Sequence, residues 1–288
     1  MRGKTCVVTG PTAGIGREIA RGLTLKNARL ALVCRNAAKG EATVRELRDL
    51  APQAEVELFI ADMSVLADVR RVAAELRARY ERLHVLVNNA GVHDPRAAVS
   101  AEGFDRMIAT NYLGPFLLTN LLLDRLEAGA PARVVMIASE SHRSVLWINP
   151  RTFARPASYG LAGSMKVYAC SKMLCVLFAQ EAAKRWRDRG IVVNAVCPGL
   201  ISTKLSTQAP LIGRLFAAAA HTALVGSPAD GARMPLRLAT EPDFEHRTGE
   251  FISSVRWMKL APTALLRFDA ALQKTVWAQS ERLVALNT

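Results

Sequence analysis

Residues 5–26, TCVVTGPTAGIGREIARGLTLK, carry the strongest structural signal in the chain. The stretch opens with a continuous apolar run, which has the length of a strand buried inside a parallel sheet. Gly10, Gly14 and Gly16 then interrupt the chain, and the apolar residues around and after them recur at helical spacing. The stretch therefore predicts a strand, a tight glycine-rich turn and a helix.

The same succession of strand and helix continues along the chain. Six apolar runs predict buried strands: TCVVTG (5–10), RLALVCR (29–35), VELFIAD (56–62), LHVLVNNAG (83–91), RVVMIAS (133–139) and IVVNAVCPG (191–199). Helical patterns lie between the runs, among them those at 14–26, 38–51 and 64–81. This alternation predicts an α/β fold in which helices cover both faces of one doubly wound parallel sheet. Ligands of such sheets bind beyond the carboxyl ends of the strands.

The chain shows no sign of a second domain. No internal repeat, low-complexity tract or linker divides its 288 residues, so we expect a single domain over residues 1–288. Ser227, Pro228 and Asp230 have the types and order of an N-cap, a first helical residue and a first-turn acid. A last apolar helix is predicted over residues 263–286.

Composition limits the setting of the protein and its kinds of partner. No run reaches the roughly 18 uncharged apolar residues of a membrane span, and no signal-peptide core precedes the first strand. We therefore expect a cytoplasmic protein, with weak contact to a membrane surface left open. The formal charge of +13 comes from arginines scattered among glutamates, which argues against a specific nucleic-acid site. The cysteines lie in apolar runs without metal-site spacing, so we expect no metal and reduced, buried thiols: Cys6, Cys34, Cys170, Cys175 and Cys197.

The glycine-rich turn and the end of the second predicted strand indicate a dinucleotide. Glycines allow backbone N–H groups and a helix start to approach a pyrophosphate, although a purely structural turn stays an alternative for the GxxxGxG spacing. An acid after the second strand would bond a ribose hydroxyl, whereas this chain has Arg35 there. A guanidinium suits a 2′-phosphate, so NADP(H) is favoured over NAD(H), unless Arg35 is merely a solvated loop residue.

Tyr168 and Lys172 stand four residues apart in a helical pattern, so they share one helix face. A tyrosine is a poor acid at neutral pH unless its phenolate is stabilised, and a neighbouring ammonium lowers its pKa. The pair alone is also what an ordinary amphipathic helix edge shows. It becomes a catalytic candidate only in company with the other motifs.

Taken together, the motifs resemble the short-chain dehydrogenase/reductase family. TGPTAGIG (9–16) is similar to the family's glycine motif, NNAG (88–91) to its structural and cofactor-side motif, and YACSK (168–172) to its Tyr-x-x-x-Lys signature. Asn111, Ser139 and PGLIST (198–203) complete the set in the family's order, and the likeness covers essentially the whole chain. Arg35, the long segment between Ser139 and Tyr168, and the ending WAQSERLVAL are similar to the retinol-dehydrogenase-like branch.

The resemblance implies a Rossmann domain, an NADP(H)-dependent oxidoreductase of the ketoreductase or alcohol dehydrogenase type, and a homo-oligomer. It implies that Tyr168 transfers the proton, Ser139 bonds the substrate oxygen, Lys172 also holds the nicotinamide ribose, and Asn111 completes a water relay. The residues implied to bind the cofactor are Gly10, Thr12, Gly14, Ile15, Gly16, Arg35, Asn36, Asp62, Met63, Asn89, Ala90, Gly91, Tyr168, Lys172, Pro198, Gly199 and Thr203.

Three positions leave alternatives open. Asp62 could cap the following helix or contact the adenine. His142 and the arginines of HRSVLWINPRTFARP (142–156) could line the substrate mouth, but a supporting or solvent-facing role is favoured. The segment around 203–226 is implied to be a substrate lid, and its apolar residues 211–220 could cover a lipophilic substrate, pack on the core or touch a membrane.

Three functional hypotheses follow. The leading one is hydride transfer between NADP(H) and a hydrophobic aldehyde, ketone or alcohol. The alternative is a non-catalytic NADP-binding sensor or scaffold, although such a protein has no chemical need for the Ser, Tyr, Lys and Asn together. A surface-binding protein that uses the net charge is the third, for which we expect only weak binding that salt screens.

Overall fold

The strands confirm the expected doubly wound parallel sheet. The structure is a computed structural model that describes residues 1–199, 201, 226–255, 258 and 264–286. The described strands form one sheet in the order β3-β2-β1-β4-β5-β6-β7, and each neighbouring pair is parallel. Their bounds are β1 (Thr5–Thr9), β2 (Arg29–Cys34), β3 (Val56–Ile60), β4 (Val85–Asn88), β5 (Ala132–Ile137), β6 (Ile191–Cys197) and β7 (Phe251–Ser253).

The first six strands match the predicted runs, and β7 was missed. It has only three residues, all partly exposed, at the edge of the sheet. Such a short edge strand lacks the continuous apolar run by which the other six were found. It extends the sheet beyond β6, whose Ala195, Val196 and Cys197 pair with it.

The helices occupy the positions between the strands. They are α1 (Gly14–Leu25), α2 (Ala37–Leu50), α3 (Leu66–Arg79), α4 (Arg106–Ile108), α5 (Gly114–Leu121), α6 (Leu123–Ala128), α7 (Leu161–Arg185), α8 (Pro228–Thr240) and α9 (Ala270–Leu283). A π-helical turn (Ala109–Leu113) joins α4 to α5, and a 3₁₀ turn (Glu140–Ser144) follows β5. The helix α8 begins as predicted, because Ser227 and Asp230 form a reciprocal capping box.

The predicted last helix is shorter than expected. Within residues 264–286, a 3₁₀ turn (Leu265–Phe268) comes first, and α9 starts at Ala270. Asp269 caps this helix by accepting a hydrogen bond from the backbone N–H of Leu272 at 2.9 Å. This N-cap hydrogen bond, rather than the apolar spacing of the preceding residues, determines where the helix begins. Thr263, where the prediction began, lies outside the described residues.

The sheet carries a separate apolar core on each face, because side chains alternate along every strand. On one face, Cys6 and Val8 of β1 point toward α1, α2 and α8. On the other face, Val7 points toward α3, α5, α7 and α9. Helices on both faces are what a doubly wound sheet requires. The order of strands reverses between β1 and β4, which places a ligand crevice at their carboxyl ends.

The helix α7 is long and apolar enough to cross a membrane by length and composition. This is weak evidence for a span, because 56% of the relevant window is buried inside the protein. The helix packs against β6, α9 and the 3₁₀ turn after β5. A central core helix passes the same composition test.

Two further predictions concern the cysteines and the substrate lid. Cys6, Cys34, Cys175 and Cys197 are free and buried as expected, but Cys170 is only partly buried. The predicted lid around 203–226 lies outside the described residues except for Gly226, which pairs with Ile201 in an isolated bridge.

Candidate active site

The glycine-rich turn is tied to the loop after β4. The side-chain amide of Asn89 donates hydrogen bonds to the carbonyls of Thr9 (2.9 Å) and Gly10 (3.0 Å). Gly10 has a positive φ of 66°, and a Cβ at Gly16 would collide with the Gly10 carbonyl. Both positions therefore require glycine, and the turn is held against the loop that carries the NNAG motif.

The N-terminus of α1 is suited to a phosphate group. Ala13 stands at the N-cap without a side-chain hydrogen bond, and the first turn contains no acidic residue. Backbone N–H groups at such a helix end are free to bind an anion, and the helix dipole favours negative charge there. This donor set fits the pyrophosphate of a dinucleotide.

A cavity of about 760 Å³ runs along the carboxyl ends of β1 to β6. The predicted site residues that line it are Gly10, Thr12, Gly14, Ile15, Gly16, Arg35, Asn36, Asp62, Met63, Asn89, Ala90, Gly91, Ser139, Tyr168, Lys172, Pro198 and Gly199. Thr203 lies outside the described residues. Of the described residues that were predicted, only Asn111 does not line the cavity.

Arg35 lies where β2 ends, with its guanidinium 3.9 Å from the carboxylate of Asp62 and two thirds of its side chain exposed. Asn36 caps α2 by accepting a hydrogen bond from the backbone N–H of Lys39. Lys39 also lines this end of the cavity, and sequence reasoning missed it. Its place in the first turn of α2, directly after the strand end that carries Arg35, is the signal that could have found it.

Asp62 has a role between the two predicted alternatives. Its Oδ1 accepts hydrogen bonds from the N–H (2.8 Å) and the hydroxyl (2.7 Å) of Ser64. It therefore orders the turn before α3, although Val65 rather than Asp62 is the N-cap of that helix. Because Asp62 also lines the cavity, an adenine contact stays a prediction.

Tyr168 and Lys172 stand together on α7, as their spacing predicts. The Lys172 ammonium is buried, donates a hydrogen bond to the carbonyl of Ile137 at 2.8 Å, and lies 5.6 Å from the centre of the Tyr168 ring. Burial raises the pKa of Tyr168 above its ordinary value, and the positive charge of Lys172 opposes that rise. The expected effect of Lys172 is present, but burial outweighs it.

Ser139 follows β5 and faces Tyr168 across the cavity. Its hydroxyl oxygen accepts a hydrogen bond from the N–H of Ser141 at 3.2 Å. The Ser139 side chain also lowers the pKa of Tyr168, against the larger effect of burial. Both hydroxyl-bearing residues line the same cavity.

Asn111 lies in the π-helical turn behind Gly91, and its side chain is engaged in hydrogen bonds. Its side-chain oxygen accepts from the N–H of Val92 (2.8 Å), and its amide donates to the Val92 carbonyl (3.0 Å) and to the Ser171 hydroxyl (3.0 Å). The Asn111 carbonyl accepts from the Cys175 thiol at 3.2 Å. The predicted relay through water stays a prediction.

His142 is not solvent-facing, which corrects that part of the prediction. Its ring is completely buried, Nδ1 lies 2.8 Å from the Ser139 carbonyl, and the ring packs on Phe251 with 4.3 Å between centres. Burial lowers the pKa of His142, so the ring is neutral and Nδ1–H is the donor. The supporting role is the one that fits, because His142 holds the backbone of Ser139 from behind.

Several residues that line the cavity were not predicted. His93 follows the NNAG loop, and its ring centre lies 5.3 Å from that of Tyr168 in an edge-on contact. Apolar residues line the same cavity: Val92, Met165, Ile201, Val255 and Met258. No motif points to them, because they come from distant segments that only the fold brings together. Among the described residues, no group of three or more His, Cys, Asp or Glu side chains could hold a metal ion.

Comparison with known proteins gives consistent matches. A family model described as short chain dehydrogenase matches residues 4–147 and 157–210. Retinol dehydrogenase 12 of Homo sapiens is 35% identical over 266 residues, which cover 91% of this chain and 81% of that protein. Retinol dehydrogenase 13 of Homo sapiens is 31% identical over 295 residues, which cover 99% and 85%. A crystal structure of an uncharacterised protein from Mycobacterium paratuberculosis has a TM-score of 0.76 and 29% identity, covering 99% of this chain and 94% of that one.

Proposed function

This chain belongs to the short-chain dehydrogenase family, in its retinol-dehydrogenase-like branch, and from that premise we propose that it transfers hydride between NADP(H) and a hydrophobic carbonyl or alcohol. Family membership makes it an oxidoreductase that binds a nicotinamide cofactor and acts on small molecules. The observation that carries the finer proposal is the convergence of Ser139, Tyr168 and Lys172 on the wall of one cavity that also contains the glycine-rich turn.

Ser139, Tyr168 and Lys172 have different roles at the substrate oxygen. A nicotinamide cofactor, when bound, gives or takes the hydride. The hydroxyls of Ser139 and Tyr168 bind the carbonyl oxygen, and Tyr168 gives its proton to that oxygen as negative charge develops. Lys172 stabilises the phenolate that remains. Because burial raises the pKa of Tyr168, the phenol keeps its proton at neutral pH until the substrate takes it.

The choice of NADP(H) rests on the charges at the end of β2. Arg35 and Lys39 line that end of the cavity, and Arg35 leaves most of its guanidinium exposed beside it. A 2′-phosphate adds negative charge to the ribose, which two cations attract. Asp62 is the one acid lining this end among the described residues, and it is engaged with Ser64.

The preference for a hydrophobic substrate rests on the apolar residues of the cavity wall. Val92, Met165, Val255 and Met258 line the same cavity as Tyr168. Methionine side chains adapt to irregular apolar shapes, which suits a lipophilic ligand. Pockets for small molecules commonly combine such a lining with a few fixed polar groups.

Replacing Tyr168 with Phe tests the proposal. NADPH oxidation by the purified protein would be followed with aliphatic, aromatic and polycyclic aldehydes and ketones. We expect Tyr168→Phe to lower kcat/KM by roughly a hundredfold to ten-thousandfold, the contribution of one positioned acid. Tyr80→Phe is the matched control, because Tyr80 does not line the cavity and its loss should leave turnover unchanged.

Two outcomes would contradict the proposal. Undiminished turnover in Tyr168→Phe would remove the tyrosine from the mechanism. Tight NADPH binding without turnover of any carbonyl or matching alcohol would favour the non-catalytic sensor or scaffold instead.

A further inference from the structure

His93 is held rigidly from both neighbours in the chain. Both backbone groups of Val92 are bonded to the side-chain amide of Asn111, at 2.8 and 3.0 Å. Asp94 forms two hydrogen bonds with the guanidinium of Arg106, at 2.9 and 2.7 Å. Fixing the residues on both sides fixes the backbone of His93, which is the condition for a preorganised binding group.

The hydrogen bonds around Ser164 define the tautomer of His93. Nε2 of His93 lies 3.1 Å from the Ser164 hydroxyl oxygen, and that hydroxyl donates its hydrogen to the Leu161 carbonyl at 2.6 Å. A serine has only one hydroxyl hydrogen, so Ser164 must accept from Nε2–H. Burial lowers the pKa of His93, which keeps the ring neutral. Nδ1 is therefore an acceptor with a lone pair.

Nδ1 of His93 has no hydrogen-bond partner within the part of the chain that the structure describes. Nδ1 is not fully buried either, because it is not among the completely buried polar atoms that lack a hydrogen-bond partner. The ring lines the cavity, with its centre 5.3 Å from that of Tyr168, and Val92, Met165 and Met258 line the same cavity. A neutral acceptor thus stands in the cavity wall, beside the residue proposed to protonate the substrate.

We propose that His93 is a specificity-determining residue that accepts, through Nδ1, a hydrogen bond from a hydroxyl group that the substrate carries in addition to its reacting oxygen. The substrate class is then an apolar hydroxy-ketone or hydroxy-aldehyde, or the corresponding diol. This inference rests on the proposed function for the reacting group. A bound carbonyl that lacks the second hydroxyl leaves Nδ1 without a partner, which costs affinity.

The inference is tested by measuring binding rather than turnover. A failed inference can then be told apart from a failed proposal about function. Calorimetry on the NADP⁺-loaded protein would measure Kd for pairs of ketones that differ only in one hydroxyl, with the hydroxyl placed at successive positions along the apolar chain. At the matching position we expect the hydroxy-ketone to bind about three- to tenfold more tightly than its partner, the range of one neutral hydrogen bond.

Three variants test whether His93 causes the preference for the hydroxy-ketone. His93→Leu should bring the two Kd values of the pair together, and His93→Asn should restore part of the difference, because its side-chain oxygen stands near the place of Nδ1. His246→Leu, at an exposed histidine away from the cavity, should keep the full preference.

The wild-type protein decides the outcome first. No preference at any hydroxyl position, or a preference that survives in His93→Leu, would overturn the inference. Turnover lost in Tyr168→Phe with the binding preference unchanged would support both proposals, whereas a binding preference without turnover in the wild type would sink the catalytic proposal alone.

Discussion

At the residue scale, two opposing effects determine the state of Tyr168. Burial raises the pKa of its phenol, and Lys172 and Ser139 lower it, with burial the larger effect. The spacing of Tyr168 and Lys172 predicts the attraction but not the burial, because burial depends on segments far away in sequence. The net direction could be read only from the folded chain.

Replacing Lys172 with Met should shift the pH dependence of alcohol oxidation. Oxidation needs the phenolate of Tyr168 as base, and removing the nearby ammonium leaves burial unopposed, so the pKa of Tyr168 rises further. The rising limb of kcat/KM against pH should move to more alkaline pH and the maximum should fall. A profile with the same midpoint in wild type and variant would show that Lys172 does not tune the tyrosine.

Replacing Arg35 with Asp should reverse the choice of cofactor. The new carboxylate would stand beside Asp62 and repel a 2′-phosphate, whereas a ribose hydroxyl could donate to it. We expect Kd for NADPH to rise at least tenfold and Kd for NADH to change little, measured by fluorescence titration. Arg45→Asp, on α2 but outside the cavity lining, is the charge-matched control. Equal losses for both cofactors would place the phosphate contact elsewhere.

At the element scale, local signals predicted structure well wherever the cause was local. The capping box is formed by Ser227 and Asp230, which lie three residues apart, and both were predicted from the sequence as the N-cap and the first-turn acid of a helix. The short strand β7 and the π-helical turn at Asn111 depend on residues distant in sequence, and no local sequence pattern predicts them. The same distinction applies to the site, because the motif residues were predicted whereas His93, which only the fold brings beside Tyr168, was not.

Removing the cap of α8 should cost stability without disturbing the cavity. Ser227→Ala removes the hydroxyl that accepts from the N–H of Asp230, whereas the backbone N–H of residue 227 keeps its bond to the Asp230 carboxylate, and about 1 kcal/mol of unfolding free energy is expected to be lost. Urea unfolding would measure the loss, and NADPH affinity should stay unchanged. Ser227→Gly, which costs only a few tenths of a kcal/mol at an N-cap, is the comparison. Equal stability of Ser227→Ala and the wild type would mean that packing alone holds the helix start.

At the scale of the whole molecule, buried histidines make folding stability depend on pH. Burial lowers the pKa values of His93 and His142, so the fold favours their neutral rings. The unfolded chain takes up protons below about pH 6.5, where the folded chain does not. The stabilising contribution is therefore present above about pH 6.5 and is lost as pH falls below it.

Acidification from pH 7 to about one unit below the unfolded histidine value should lower the unfolding free energy, because the unfolded chain then binds protons at these two histidines that the folded chain does not. Urea unfolding at both pH values would measure this loss. The double variant His93→Leu with His142→Leu should show a smaller difference between the two pH values, even if its stability is lower at both. An unchanged difference would assign the pH dependence to other groups. The lowered pKa values of Asp68 and Asp230 act at more acidic pH, outside this window.

The association state and location of the molecule are further proposals. The resemblance implies a homo-oligomer, and the cytoplasmic location expected from composition stays a prediction. The described residues expose several large apolar side chains: Leu146, Trp147, Leu265 and Phe268. Light scattering at physiological salt would measure the mass, and Trp147→Ser would test whether this surface takes part.

Asn111 joins three parts of the molecule at one point: the loop with Val92, the π-helical turn, and α7 through Ser171 and Cys175. Truncating its side chain would remove the bonds to Val92 and Ser171, including those that fix the backbone next to His93, and would leave only the backbone bond to Cys175. A slow Asn111→Ala enzyme would therefore say little about proton movement, because a displaced wall and a broken relay would give the same kinetics.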